Sequence, residues 1–244
     1  LVVISRMKRP ALQLGQIIGR WPQQLHWGSF GLLIFSVFLF SLGAFQLSYL
    51  ALSLFAPALV EATLQQSLTL AADETAYPTF YSAITIGSVL VVAPVTEEFI
   101  FRGILLHRWG VKWGIRPALV LTSILFGVLH SNLVGLFVFG LVMALLYLST
   151  RSLLVSIVAH SANNAIASLV EVMTLQAGTT FPVDILAEFR ASWWLGTFCL
   201  VVSTPWIWRY LTYHWPDSQA QLPYFARQSQ PGQLSPPLVA GEDK

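Results

Sequence analysis

The chain is poor in charge: of its 244 residues only 10% are Asp, Glu, Lys or Arg, while apolar types make up 55% and aromatics 13%. A water-soluble domain carries about 25% charged residues. So sparse a supply does not cover a water-facing surface, which argues against a cytosolic enzyme and a disordered regulator. The formal net charge is +2, too small for a general polyanion binder, so no nucleic-acid partner is expected. Cys199 is the lone cysteine, which excludes an internal disulfide, a thiolate zinc knot and an iron–sulfur cluster. No small-residue cleavage site follows a short apolar core near the start, so the first long apolar stretch reads as a span and not as a removed signal peptide.

What the chain has in abundance is uncharged length. Five stretches, 21–60, 75–96, 117–150, 152–170 and 191–208, contain no Asp, Glu, Lys or Arg. About 20 helical residues cross a hydrocarbon core roughly 30 Å thick. The third stretch has a polar break at Ser131-Asn132 and divides into two short spans near 117–131 and 133–149. The first becomes strongly apolar near Phe30 and reads as one long or tilted span ending near Pro57, with a helical hairpin inside 28–60 as the rival. The fold class expected is all-α: a polytopic helical membrane protein of about six transmembrane helices around an intramembrane polar site. Residues 1–27 form a cytoplasmic N-terminal segment, 28–213 the membrane domain, and the Gln-, Pro- and Ser-rich 214–244 a flexible cytoplasmic tail. Trp193, Trp194, Trp206, Trp208, Tyr210 and Tyr213 bracket the last span as interfacial anchors.

Basic residues mark the cytoplasmic side. Threaded through six spans, twelve of the thirteen Lys and Arg residues fall on one side, with Arg190 the exception. Glu61, Asp73, Glu74, Glu171, Asp184 and Glu188 fall on the other. Both termini are therefore expected in the cytoplasm, in a plasma membrane or an internal photosynthetic membrane.

Three spans carry polar residues that apolar helices do not need. Glu97 and Glu98 end the second span, and adjacent helical residues point about 100° apart, so the two acids have different neighbours. Arg102 lies four residues beyond Glu98 and pairs with it, leaving Glu97 the freer carboxylate. His130 closes the third span, one turn from Phe126 on the same face. His160 and Asn164 share a face of the fifth span, with Asn163 turned away from it. Each feature alone is also explained by packing, charge neutralisation or helix–helix hydrogen bonding. If the three converge, they bring a carboxylate, two imidazoles and an amide donor into one dry pocket. A carboxylate there takes a proton from water, and imidazole and amide donors stabilise an oxyanion, which is amide or ester hydrolysis. Alternatively, Glu97, His130 and His160 make an acceptable catalytic zinc set. Spacing does not separate the two, although the His-Glu-x-x-His signature is absent. Depth argues against easy convergence. By helical rise Glu97 is about 8 Å from Arg102, His160 about 14 Å from Arg151 and His130 about 21 Å from Arg116, so the three are not level in a bare span model, and short unwound ends or tilt close only part of the gap.

Glu97-Glu98-x-x-x-Arg102, Phe126-x-x-x-His130 and His160-x-x-x-Asn164, in this order, resemble the motifs of the CPBP intramembrane proteases, which include the type II CAAX prenyl endopeptidases and the Abi-like proteins. The resemblance covers about 80–175. It implies an all-helical fold and a glutamate-dependent endopeptidase without a bound metal. Glu97 would activate water, His130 position it, and His160 and Asn164 stabilise the oxyanion, with Glu98, Arg102 and Phe126 as structural support. The partners expected are the lipid bilayer and a peptide or membrane-protein substrate. Competing readings are a non-catalytic scaffold or immunity-type protein of the same fold, and a proton-coupled transporter using the same buried groups. A serine enzyme is disfavoured by the absence of Gly-x-Ser-Gly, and an aspartyl enzyme by the placement of Asp73 and Asp184 in outside loops.

Overall fold

Every described element is helical. The computed structural model describes residues 14–65, 76–176, 184–218 and 220–224. Asp73, Glu74 and the tail beyond Tyr224 lie outside them.

A short helix α1 (Leu14–Ile18) precedes α2 (Trp27–Leu52), a single unbroken helix, and α3 (Pro57–Gln65). The strongly apolar part of the first uncharged stretch is therefore one long helix, α2, with no hairpin inside it. Next come α4 (Pro78–Gly87), α5 (Ala93–Glu98) and α6 (Leu106–Trp113). They are joined by π-helical turns at Ser88–Val92 and Phe99–Leu105. The backbone stays right-handed helical at each junction, so 78–113 is one continuous helical run. Pro94 explains the first wide turn. It has no N–H for the carbonyl of residue 90, and its ring crowds that carbonyl. The preceding turn opens, and Ala93 N–H reaches back five residues to Ser88. The segment around Arg108 and Lys112, expected as a loop, is helix α6.

The chain continues through α7 (Ile115–Val128), α8 (Leu133–Thr150), α9 (Leu153–Gln176), α10 (Ile185–Ala191) and α11 (Trp193–His214). By length and composition α2, α8 and the Leu153–Thr174 part of α9 suffice to cross a membrane, and α10 with α11, bent by 43°, raises the number to four. The six spans read from charge spacing are thus not all present as long helices. The run 78–113, though continuous, is divided by its π turns into α-helical pieces of ten residues or fewer, and α7 is a shorter apolar helix.

α2 runs against α11 at a pair of glycines. A Cβ on Gly43 would lie 2.5 Å from the Gly196 carbonyl oxygen, so the backbones meet where no side chain intervenes. α7 and α8 close at Gly127, whose Cβ would sit 2.6 Å from Leu133 O. The turn between them docks on α2. Asn132 caps α8 by accepting from Gly135 N at 3.1 Å and donates to Ser41 O at 2.8 Å. Tyr49 OH donates to Ser131 O at 3.2 Å.

Phe30, Leu33, Val37, Phe101, Phe126, Phe139 and Val155 form one core. A second core joins Ile17, Leu106, Leu119, Leu145, Tyr147, Leu222 and Tyr224. Part of the segment expected to be a flexible tail is therefore packed: Tyr224 is fully buried, edge-on to His107. Tyr210, expected as an interfacial anchor, packs against both cores.

Candidate functional site

The site forms where α5, the end of α7, α8 and α9 meet. Glu98 and Arg102 make the i,i+4 pair at 2.8 Å, and both are buried. Arg102 Nη2 also donates to Gly140 O at 3.1 Å, and its guanidinium lies 4.9 Å from the Phe126 ring centre. Glu98 Oε1 meets a second donor, His160 Nδ1, at 2.9 Å. Its Oε2 is buried with no hydrogen-bond partner among the described residues. Truncating one member of such a buried pair leaves the other charge uncompensated, at about 3–5 kcal/mol.

Glu97 has a different setting. Its side chain is 28% exposed, and its Oε2 faces His130 Nε2 at 3.9 Å and His160 Nε2 at 3.8 Å. Both separations are too long for direct hydrogen bonds and short enough for water to mediate. The glutamates thus separate as the 100° step requires. Glu98 points inward to Arg102 and His160, and Glu97 points to the imidazole edges.

His130 is not inside a helix. α7 ends at Val128, and His130 sits in the bend before α8. Its Nδ1 lies 2.6 Å from Phe126 O, and its ring stacks on Phe126 at 4.6 Å. A carbonyl oxygen only accepts, so Nδ1 carries the hydrogen and a neutral His130 turns a lone pair on Nε2 towards Glu97. Phe126 is the hub of the cluster. Its ring also stacks on Phe139 and meets Phe101 and His160 edge-on.

Asn164 lies one turn beyond His160 on α9, and its Nδ2 donates to Val89 O at 3.0 Å, inside the first π turn. The amide retains a second N–H. The neighbouring Asn163 has a buried Oδ1 with no partner among the described residues.

Sequence reasoning missed His107. It is buried, its Nδ1 lies 2.9 Å from Arg102 O, and its Nε2 lies 3.3 Å from Tyr147 OH. The second π turn accounts for the first contact. Leu106 N–H bonds to Phe101 O, five residues back, which leaves the Arg102 carbonyl to the His107 side chain. The available signal was weak: an imidazole five residues past Arg102, on the apolar side of a helix whose other face carries Arg108 and Lys112.

The zinc set considered at Glu97, His130 and His160 requires correction. Among the described residues, no group of three His, Cys, Asp or Glu side chains is placed to hold a metal ion. Each imidazole keeps its Nδ1 on a protein acceptor, His130 on Phe126 O and His160 on Glu98 Oε1. Asp184 is a helix cap: it accepts from Ala187 N at 2.8 Å.

Glu98, Arg102, His107 and His160 thus form a buried polar cluster, with Glu97 at its open edge, beside helices able to cross a membrane. Residues 79–166 match the family model described as type II CAAX prenyl endopeptidase Rce1-like. The match contains Glu97, Glu98, Arg102, His130, His160 and Asn164 and supports a family-level assignment of that stretch. It does not reach α2 or α11. No curated protein and no solved structure is detectably similar to the chain.

Proposed function

We propose that this chain is an intramembrane endopeptidase in which Glu97 is the general base. The observation that carries the reading is the division of labour between the two acids. Glu98 is engaged by Arg102 and His160 at 2.8 and 2.9 Å, while Glu97 is partly open and faces two imidazole nitrogens. A water held among Glu97 Oε2 and the two Nε2 atoms has acceptors for its hydrogens and keeps an oxygen lone pair to attack with. Glu97 takes the proton, His130 fixes the water, and the hydroxide adds to a peptide carbonyl. His160 and the second N–H of Asn164 stabilise the resulting oxyanion. Phe126 and the Glu98–Arg102 pair hold the cluster in register.

The matched family's description names a CAAX prenyl endopeptidase. For this chain the substrate proposed is a peptide bond presented at membrane depth, in a membrane that holds both termini on the cytoplasmic side.

The test is cleavage of a peptide library by purified protein in detergent, beside Glu97→Gln. Wild type is expected to cleave and Glu97→Gln to lose turnover with its melting temperature nearly unchanged, because size and hydrogen-bonding capacity are kept. Equal activity in the two proteins refutes the role given to Glu97.

A further inference from the structure

Building on the hydrolase reading, we propose that Glu98 is a positioning residue that holds His160 with its hydrogen on Nδ1, and so makes His160 the carrier of the proton that Glu97 takes from water. The support is the way one imidazole spans both acids. His160 Nδ1 is 2.9 Å from Glu98 Oε1, and Nε2 is 3.8 Å from Glu97 Oε2. A carboxylate only accepts, so Nδ1 donates to Glu98 and the neutral ring presents a lone pair on Nε2. Phe139 packs on the ring at 4.8 Å and Phe126 at 6.0 Å, both near perpendicular. The groups facing it are Glu97 and Glu98 from α5, Phe126 from α7 and Phe139 from α8, with Arg102 behind Glu98.

A neutral His160 in this tautomer has no N–H to offer an oxyanion. It acquires one during the reaction. Glu97 removes a proton from water as the water oxygen bonds to the peptide carbon, and that proton passes from Glu97 Oε2 to His160 Nε2. The imidazolium lies against Glu98, and its new Nε2–H faces the oxyanion beside Asn164. When the C–N bond breaks, its electron pair leaves with nitrogen, which takes the Nε2 proton. His160 returns to neutral, and one water has become part of a carboxylic acid and an amine. Donor and proton thus arrive together, and only after water has been deprotonated.

Two measurements test this. Nitrogen-15 spectra of histidine-labelled protein, with His160→Gln used to assign the signal, are expected to show neutral His160 protonated on Nδ1; protonation on Nε2 overturns the proposal. The double variant Glu98→Gln/Arg102→Met removes both members of the ion pair, so no buried charge is left alone. Its kcat is expected to fall about 10⁴-fold, the scale seen when the acid orienting a catalytic histidine is neutralised. KM is expected to stay within about threefold, because an interaction specific to the transition state is lost. A folded double variant with near-wild-type kcat overturns the proposal, and if that variant does not fold, the tautomer decides. Glu97→Gln run alongside separates the two readings. Its loss of activity beside an active double variant sinks only the His160 relay, whereas an active Glu97→Gln sinks the hydrolase itself.

Discussion

Asn164 donates its side-chain amide to the backbone carbonyl of Val89 at 3.0 Å, tying α9 to the π turn that precedes Glu97. The wide turn made around Pro94 leaves carbonyl groups without their ordinary i+4 donor, and side chains take up the slack. Ala93 N–H goes to Ser88 O, so the Val89 carbonyl lacks its usual donor and takes the Asn164 amide instead. The distortion that sets the height and rotation of Glu97 is therefore pinned from the helix that carries His160.

A variant series at Asn164 follows from this link. Asn164→Ala removes the donor and leaves the Val89 carbonyl unsatisfied, so stability is expected to fall by about 1–3 kcal/mol. Asn164→Asp is expected to be worse, because it sets a carboxylate against a carbonyl oxygen. Turnover should fall in both. Melting temperature and kcat in detergent check this; an Asp variant as stable as wild type would show that the link to Val89 carries no weight.

Much of the site was legible because helical spacing is strict. Four residues separate Glu98 from Arg102 and Phe126 from His130, and both pairs meet. The apparent mismatch in depth came in part from a wrong ruler. Arg102 does not mark the membrane surface: it is buried inside the cluster and paired with Glu98. Counted instead from Lys112, near the end of the same run, Glu97 lies 15 residues in, against 14 for His130 from Arg116 and nine for His160 from Arg151. What the sequence hid was main-chain geometry. Nothing in Phe99–Leu105 announces a π turn, so the open Arg102 carbonyl and its partner His107 had no signature. The break at Ser131-Asn132 is visible in the sequence, but α7 already ends at Val128, so the break takes in Leu129 and His130 as well, and His130 follows the helix instead of lying inside it.

The α2–α11 contact gives a sharp steric expectation. Gly43→Ala places a methyl group 2.5 Å from the Gly196 carbonyl, a backbone atom that cannot rotate away. Stability is expected to fall by about 1–3 kcal/mol, the usual cost of overpacking. Gly28→Ala is the control. It lies on the same helix with nothing within 4 Å of the added carbon. That change should be neutral or stabilising by up to about 1 kcal/mol, since alanine is the better helix former. Paired thermal melts measure the difference, and equal melting of the two variants would contradict the close approach.

Packing of residues 220–224 is tested through Tyr224. Its fully buried ring stands 5.9 Å from His107, and Leu222 fills the space over Gly110. Tyr224→Ala is expected to destabilise by about 3 kcal/mol, as for other large-to-small changes in a core. Truncation after Pro216 should do at least as much. If either variant unfolds at the wild-type midpoint, this stretch is not part of the core and the tail begins earlier.

Orientation in the membrane is the remaining expectation, and the helix ends make it testable. Arg108, Lys112 and Arg116 cluster at the junction of α6 and α7, and Asp184 and Glu188 sit on α10 or at its start. Lys and Arg near span ends favour the cytoplasm, so the first group is expected inside and the second outside. Arg190 is the single base assigned to the outer side, and its surroundings account for it. It donates to Ser53 Oγ at 3.0 Å and to Ser53 O at 2.6 Å. Ser53 is the C-terminal cap of α2, where the helix dipole favours a cation. Lys112→Cys and Glu188→Cys, each in a Cys199→Ala background, place single thiols at exposed positions near opposite ends of the bundle. A membrane-impermeant maleimide applied to intact cells is expected to label position 188, and to reach position 112 only after permeabilisation. Labelling of both from one side would mean that the chain does not cross between them as the charge pattern requires, and the cytoplasmic placement of the termini would fall with it.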